Sequence, residues 1–297
     1  MEPNLNFSPD SLQALNVCIA IIMFGVALSI KPEHFYQLRH QKKALATGLM
    51  GQYLVLPVIT VLLIYILKPA PGIALGMTLV AACPGGNVSN FFTLMARGHL
   101  AVSVTLSAIS SLLAFVLTPA SFFFWSSTAG LSSVMRSFEV SFFDLLLNMV
   151  LILLLPLVAG MLVCKYLPKI AALIGKPVRI LSIILLIGFI VVALYANAEP
   201  FSKYILTIFW LVALHNGLAL AGGYVLSIVM KNSEEVNRAV AIETGIQNSG
   251  LALVIIFTFF QGNGYMALIA AWWGVWHLVS GFIFSYIVQR KRIHQPA

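Results

Sequence analysis

Residues 241–254 read AIETGIQNSGLALV, and residues 83–90 read CPGGNVSN. Each stretch breaks an apolar run that is otherwise long enough to cross a bilayer, for which a helix needs about 20 apolar residues. Pro84 removes a backbone donor, and Gly85 and Gly86 weaken helix propagation. In the later stretch two glycines accompany Glu243, Gln247 and Asn248. Backbone groups freed by such breaks are tolerated at membrane depth only when buried in protein or lining a cavity. Corresponding breaks in two halves of inverted topology point to a binding site near the bilayer midplane.

The composition agrees with a membrane protein. Of 297 residues, 9% are charged and 60% hydrophobic, and the mean hydropathy is +0.98, far from the roughly 25% charged of a soluble domain. The net charge of +8 sits in short clusters between apolar runs, which excludes a nucleic-acid reading. Cys18, Cys83 and Cys164 lie far apart without metal-ligand spacing and read as small core residues. The first sixteen residues carry no Lys or Arg, so they lack the basic start of a secretory signal, and the chain is read as mature from Met1.

Nine spans are expected, at about 11–30, 44–67, 72–96, 101–125, 142–164, 179–197, 204–230, 239–260 and 265–288, forming one transmembrane domain over residues 1–297. With the N-terminus outside, inner loops hold Lys31, Arg39, Lys42, Lys43, Arg97, Lys165, Lys169, Lys176, Arg179, Lys231, Arg238, Arg290, Lys291 and Arg292. Only Lys68, Arg136 and Lys203 fall outside, so the basic residues favour this orientation and a cytoplasmic C-terminus, as in a plasma (bacterial inner) membrane. The third span then runs inward and the eighth outward, as inversion requires. Spans 1–4 pair with spans 6–9.

Of nine acidic residues, Glu243 alone is expected in the body of a span. A carboxylate there costs roughly 2.5 kcal/mol or more unless it is paired, hydrated or coordinated, and intramembrane acids are functional by default. Oxygen donors without sulfur or imidazole suit a hard cation, of which sodium is the abundant monovalent one. Ser103 and Ser107 form an i, i+4 pair, Ser89 and Asn90 follow the Pro84 break, and Gln52 precedes Pro57 in the second span. Taken alone, such serines more often satisfy their own backbone or join helices. Asn87 and Asn248 stand where half-helix N-termini expose N–H groups and a positive dipole end, which favours an anion; crossover hydrogen bonding is the equal alternative for Asn248. His277 and His215 lie in spans, where a lone His is commonly a polar bridge.

The segments IIMFGVALSIKPEHF (21–35), GQYLVLP (51–57), CPGGNVSN, ARGHLAVSVTLSAISSLLAFVLTP (96–119), ETGIQNSGLA (243–252) and WHLVSG (276–281) together resemble the bile acid:sodium symporter family, in order along nearly the whole chain. The resemblance implies an all-α polytopic fold with two crossing discontinuous helices, a core of spans 2, 3, 4, 7, 8 and 9, and a panel of spans 1, 5 and 6. It implies two sodium sites. The first is Ser89, Asn90, Ser103, Ser107 and Glu243; the second is Gln52, Glu243 and Gln247 with the carbonyls of Thr244 and Ile246. Asn87, Asn248 and His277 become the expected substrate contacts. The span count is similar to the nine-helix arrangement of the animal carriers rather than the ten-helix form of many bacterial members. Ser107 and Asn87 replace the family's common threonines but stay polar, and Leu278 replaces a frequent asparagine, which leaves the substrate open.

The expected activity is sodium-coupled symport of an organic anion, bile-acid-like or a small carboxylate such as pantoate. The alternative is proton coupling, with Glu243 alternately binding and releasing a proton. An intramembrane enzyme would need a nucleophile with a base, paired carboxylates or a metal set, and one buried acid with distant histidines supplies none of these, so no enzyme is expected. Lipid is the surrounding partner. Nothing in the sequence sets the oligomeric state, and a monomer suffices.

Overall fold

The computed structural model describes residues 17, 20–25, 27–28, 41–86, 88–196 and 198–290. The expected first span, at 11–30, lies mostly outside the described residues, as do Asn87 and the tail from 291. Described residues 20–25 are helical. The labelled elements are α1 (Lys42–Leu67), α2 (Pro71–Ala82), α3 (Val88–Met95), α4 (Leu100–Thr128), α5 (Ser132–Ser137), α6 (Phe142–Tyr166), α7 (Pro168–Ala196), α8 (Ala198–Val229), α9 (Glu234–Gly245), α10 (Ser249–Phe259) and α11 (Gly264–Gln289). The described residues contain no strand beyond one isolated bridge and are all-α.

Among the described residues, five segments are long and apolar enough to cross a membrane: Lys42–Leu67, Leu100–Thr128, Phe142–Tyr166, Ile205–Val229 and Gly264–Gln289. The third and eighth expected spans are each two helices, α2 with α3 and α9 with α10. Several boundaries differ from expectation. The helices that hold the sixth, seventh and eighth expected spans start earlier, at Pro168, Ala198 and Glu234, because stretches interrupted by charged residues or prolines continue the helix ahead of each apolar run, and for the seventh the apolar segment itself, Ile205–Val229, keeps the expected bounds. Arg238 therefore belongs to a helix and not to an inner loop.

Two π-helical turns were not legible as such: Gly51–Val55 within α1 and Val150–Leu154 within α6. Each precedes a Leu-Pro pair, ending in Pro57 and Pro156. A proline inside a helix lacks its N–H and crowds the carbonyl four residues back, and a wider turn relieves that clash.

The breaks follow from local chemistry. Pro84 pushes Cys83 out of the helical region to φ −71°, ψ 155°, ending α2. Ile246 is likewise extended, at φ −99°, ψ 94°, ending α9. The two extended pieces cross and pair antiparallel at Gly85 and Gln247. Gly86 N donates to Ile246 O at 2.8 Å, and Asn248 N donates to Pro84 O at 2.9 Å. Each break thus satisfies the backbone groups the other leaves open, which burial in an apolar surrounding demands.

The packing suits lipid. Leu62, Ile66, Phe124, Leu147, Trp210 and Phe282 face outward, while Gln52, Ser89, Ser103, His215, Asn216, Arg238 and Glu243 are buried. Close approach relies on small residues. A Cβ on Gly76 of α2 would lie 2.9 Å from the α11 backbone at Met266, so only glycine lets these helices touch.

Candidate cation site

Glu243 lies on the last full turn of α9, 1% exposed, with its carboxylate turned toward α3 and α4. Its Oε1 accepts from Ser89 Oγ and Ser103 Oγ, each at 2.5 Å, and from Ser107 Oγ at 3.0 Å. Ser107 Oγ also reaches Oε2 at 3.1 Å. Ser103 Oγ is 3.0 Å from Asn90 Oδ1, and Ser89 Oγ is 3.2 Å from Ser107 Oγ. The five residues expected to form a first site therefore converge. The i, i+4 spacing of Ser103 and Ser107 presents both hydroxyls on one face of α4, and the turn after the Pro84 break presents Ser89 and Asn90.

The surroundings are rich in oxygen and poor in compensating positive charge. The ion pair formed among the described residues, Arg238 with Glu234, does not include Glu243. A hydroxyl proton serves one acceptor at a time, so Ser103 cannot satisfy both Asn90 and Glu243 fully. Carboxylate, amide and hydroxyl oxygens in one buried cluster are the donor set that a hard cation takes.

The residues expected for a second site border the same carboxylate. An added Cβ on Gly85 would sit 2.7 Å from Glu243 Oε2 and 3.3 Å from Gln52 Nε2, so both side chains press on this glycine. Gln52 lies in the π turn of α1, buried, with Nε2 lacking a hydrogen-bond partner. Gln247 Nε2 donates to Thr244 O at 2.8 Å, and its buried Oε1 is unpartnered. The Thr244 and Ile246 carbonyls each accept one hydrogen bond, from Gln247 and Gly86, and each oxygen keeps a second lone pair.

The expected substrate contacts are not gathered so tightly. Asn248 caps α10, its Oδ1 accepting from Leu251 N at 3.0 Å, while its backbone makes the crossover bond. The crossover alternative thus describes its backbone. His277 is buried on α11 with Nδ1 unpartnered. His215 is a polar bridge: Thr60 Oγ1 donates to Leu56 O, so the 2.7 Å contact to His215 Nε2 has the imidazole donating. Its ring stands edge-on to Trp273, 4.9 Å between centroids.

Two contributors escaped the sequence reading. Thr93 on α3, fully buried, donates to Ser103 Oγ at 3.1 Å. Asn216 on α8, fully buried, donates to Gly245 O at 2.7 Å and so holds the end of the broken helix. Asn216 had a signal, an amide inside the apolar run LVALHNGLAL; Thr93 had none.

A sequence model of the Sodium Bile acid symporter family matches residues 16–203. The chain belongs to that family. Its match covers α3 and α4 and ends before α9, but similarity to family relatives extends further. The chain is 30% identical over 277 residues to an uncharacterized sodium-dependent transporter, YocS, of Bacillus subtilis (strain 168), covering 93% of this chain and 83% of that protein. It is 28% identical over 281 residues to a protein of Arabidopsis thaliana named Probable sodium/metabolite cotransporter BASS1, chloroplastic, covering 93% of this chain and 66% of the relative. It is 28% identical over 250 residues to the P3 protein of Mus musculus, covering 78% of this chain and 48% of the relative. The chain thus spans about two thirds of the plant relative and about half of the mouse one. As a member of this sodium bile acid symporter family with several long apolar helices, it is an integral membrane protein of a sodium-dependent transporter family. The names of the relatives lend the proton-coupled alternative no support.

Proposed function

We propose that the chain is a sodium-coupled symporter that imports an organic anion by alternating access. The observation that carries this reading is the convergence of Ser89, Ser103 and Ser107 on Glu243 Oε1 at the crossing of two broken helices. One sodium ion is held by Ser89, Asn90, Ser103, Ser107 and Glu243. A second is held by Gln52, Glu243, Gln247 and the carbonyls of Thr244 and Ile246. Binding either ion neutralises a buried carboxylate and stiffens the crossover, so the anion finds its site formed. That site is bordered by Asn87, Asn248 and His277, with the N-terminal N–H groups of α10 supplying a positive dipole end.

The architecture behind this cycle is nine spans in an inverted repeat, one domain over residues 1–297, with the N-terminus outside and the C-terminus in the cytoplasm of a bacterial cell. Spans 2, 3, 4, 7, 8 and 9 form the core, which moves against the panel of spans 1, 5 and 6. The substrate is a bile-acid-like or small carboxylate anion, for which pantoate and taurocholate are suitable probes.

The test is uptake of labelled pantoate and taurocholate into vesicles containing the purified protein. An inward sodium gradient drives uptake, and replacing sodium with potassium removes it. Undiminished uptake in potassium refutes sodium coupling.

A further inference from the structure

Arg238 is a guanidinium with none of its side chain exposed, on the same helix as Glu243 and about one and a half turns before it. Its Nε donates to Glu234 Oε1 at 2.9 Å, and its Nη1 donates to Ala96 O at 2.9 Å. Ala96 lies immediately past the C-terminus of α3, the half-helix that carries Ser89, Asn90 and Thr93. A cation there meets an open carbonyl at the negative end of a helix dipole.

The contact is one part of a larger clamp. Glu234, at the start of α9, also accepts from Tyr224 OH of α8, at 2.9 Å to each carboxylate oxygen. Glu235 O accepts from His99 N at 2.8 Å, and His99 is the N-cap of α4, which carries Ser103 and Ser107. Between them Gly98 lets the loop lie against α9: an added Cβ would meet Glu235 O at 3.2 Å and Ala239 N at 3.3 Å. The first two turns of α9 are therefore bonded to the α3–α4 connection at two points, through Glu235 and Arg238.

α3 and α9 are joined at their other ends by the crossover bonds Gly86 N to Ile246 O and Asn248 N to Pro84 O. The pair is pinned at both ends, and the oxygens of the cation cage lie between the pins. We infer that Arg238, held by Glu234, which Tyr224 holds in turn, is a positioning residue for cation binding, fixing the register of α3 and α4 against Glu243 without touching the ion.

Arginine suits this task because two fork nitrogens reach two partners in a fixed plane, which a lysine ammonium or a glutamine amide cannot reproduce. Loss of the charge also leaves Glu234 paired only with Tyr224 and Asn237. The consequence for the cage is geometric: its serines belong to α3 and α4 and its carboxylate to α9, so slippage between them lengthens several oxygen contacts together.

The inference rests on the sodium reading of the cage, and the experiment separates the two. Thermal unfolding of the intact detergent-purified protein is followed as sodium chloride replaces potassium chloride at constant ionic strength. The unsubstituted protein is stabilised by sodium, with a half-maximal concentration that serves as reference. Arg238→Gln raises that concentration about tenfold, equivalent to about 1.4 kcal/mol, and Tyr224→Phe raises it about threefold. Thr78→Val removes a buried hydroxyl on α2 that bonds only within its own helix, and it leaves the half-maximal sodium concentration within about twofold while lowering the unfolding temperature in potassium. If Arg238→Gln behaves like Thr78→Val, its role is structural only and the inference is overturned. If Arg238→Gln does not fold, Tyr224→Phe decides: an unchanged sodium concentration overturns the inference, and the threefold rise supports it. Absence of any sodium response in the unsubstituted protein refutes the cation reading itself and this inference with it.

Discussion

Glu243 stands between two requirements: burial disfavours its charge, and three hydroxyls aimed at one of its oxygens favour it. Under the sodium proposal a bound ion reconciles them, and the hydroxyls become ligands through their lone pairs. Glu243→Gln keeps the shape and removes the charge, so labelled-sodium binding to the purified protein is expected to be lost, falling at least a hundredfold. Ser107→Ala removes one oxygen and leaves the carboxylate, and sodium binding weakens about ten- to a hundredfold, the scale of one hydrogen-bonding partner of a charged group, about 1.5–3 kcal/mol. Ser107→Thr keeps the hydroxyl and stays within about threefold. Equal binding in the Glu243→Gln and unsubstituted proteins sinks the assignment. Much of this cluster was legible beforehand, because a lone acid in an apolar span and an i, i+4 serine pair are sequence signals. Thr93 was not, since a threonine in a membrane helix most often bonds its own backbone, and only the turn of α3 toward α4 reveals its contact with Ser103.

At the scale of elements, the crossover depends on residues without side chains. Gly85 lies where a methyl group would meet Glu243 Oε2 at 2.7 Å and Gln52 Nε2 at 3.3 Å. Neither neighbour has room to retreat, because both are buried. Gly85→Ala is therefore expected to displace the carboxylate and weaken labelled-sodium binding tenfold or more, while the helices themselves persist by circular dichroism. Gly175→Ala on α7 meets nothing within 4 Å and leaves binding unchanged. Comparable binding in the Gly85→Ala and Gly175→Ala variants excludes the tight crossover. The breaks announced themselves through Pro84 and the glycines. Helix starts did not, because a polar first turn such as SEEVNR carries no apolar signal, and that slip of boundary hid Arg238. The π turns were equally silent, since Pro57 and Pro156 mark a distortion without specifying its width.

For the whole molecule, the proposed stoichiometry makes transport sensitive to voltage. Two sodium ions entering with one monoanion carry one net positive charge, and about 100 mV inside-negative contributes about 2.3 kcal/mol to that step. At about 1.4 kcal/mol per tenfold, this raises the accumulation limit about fiftyfold. The chemical gradient acts separately: each tenfold sodium gradient multiplies the limit about tenfold per ion, so two ions give about a hundredfold. Vesicles loaded with potassium and treated with valinomycin set the potential independently of sodium. With two ions per monoanion, steady accumulation of labelled pantoate rises steeply with inside-negative potential and varies with the square of the sodium ratio. With one ion it varies linearly with that ratio and ignores the potential. The same measurement tests the two proposed cages, because Gln52→Ala is expected to damage only the second. That variant is expected to turn the square dependence into a linear one and to abolish the voltage response, and retention of both excludes Gln52 from a second sodium site.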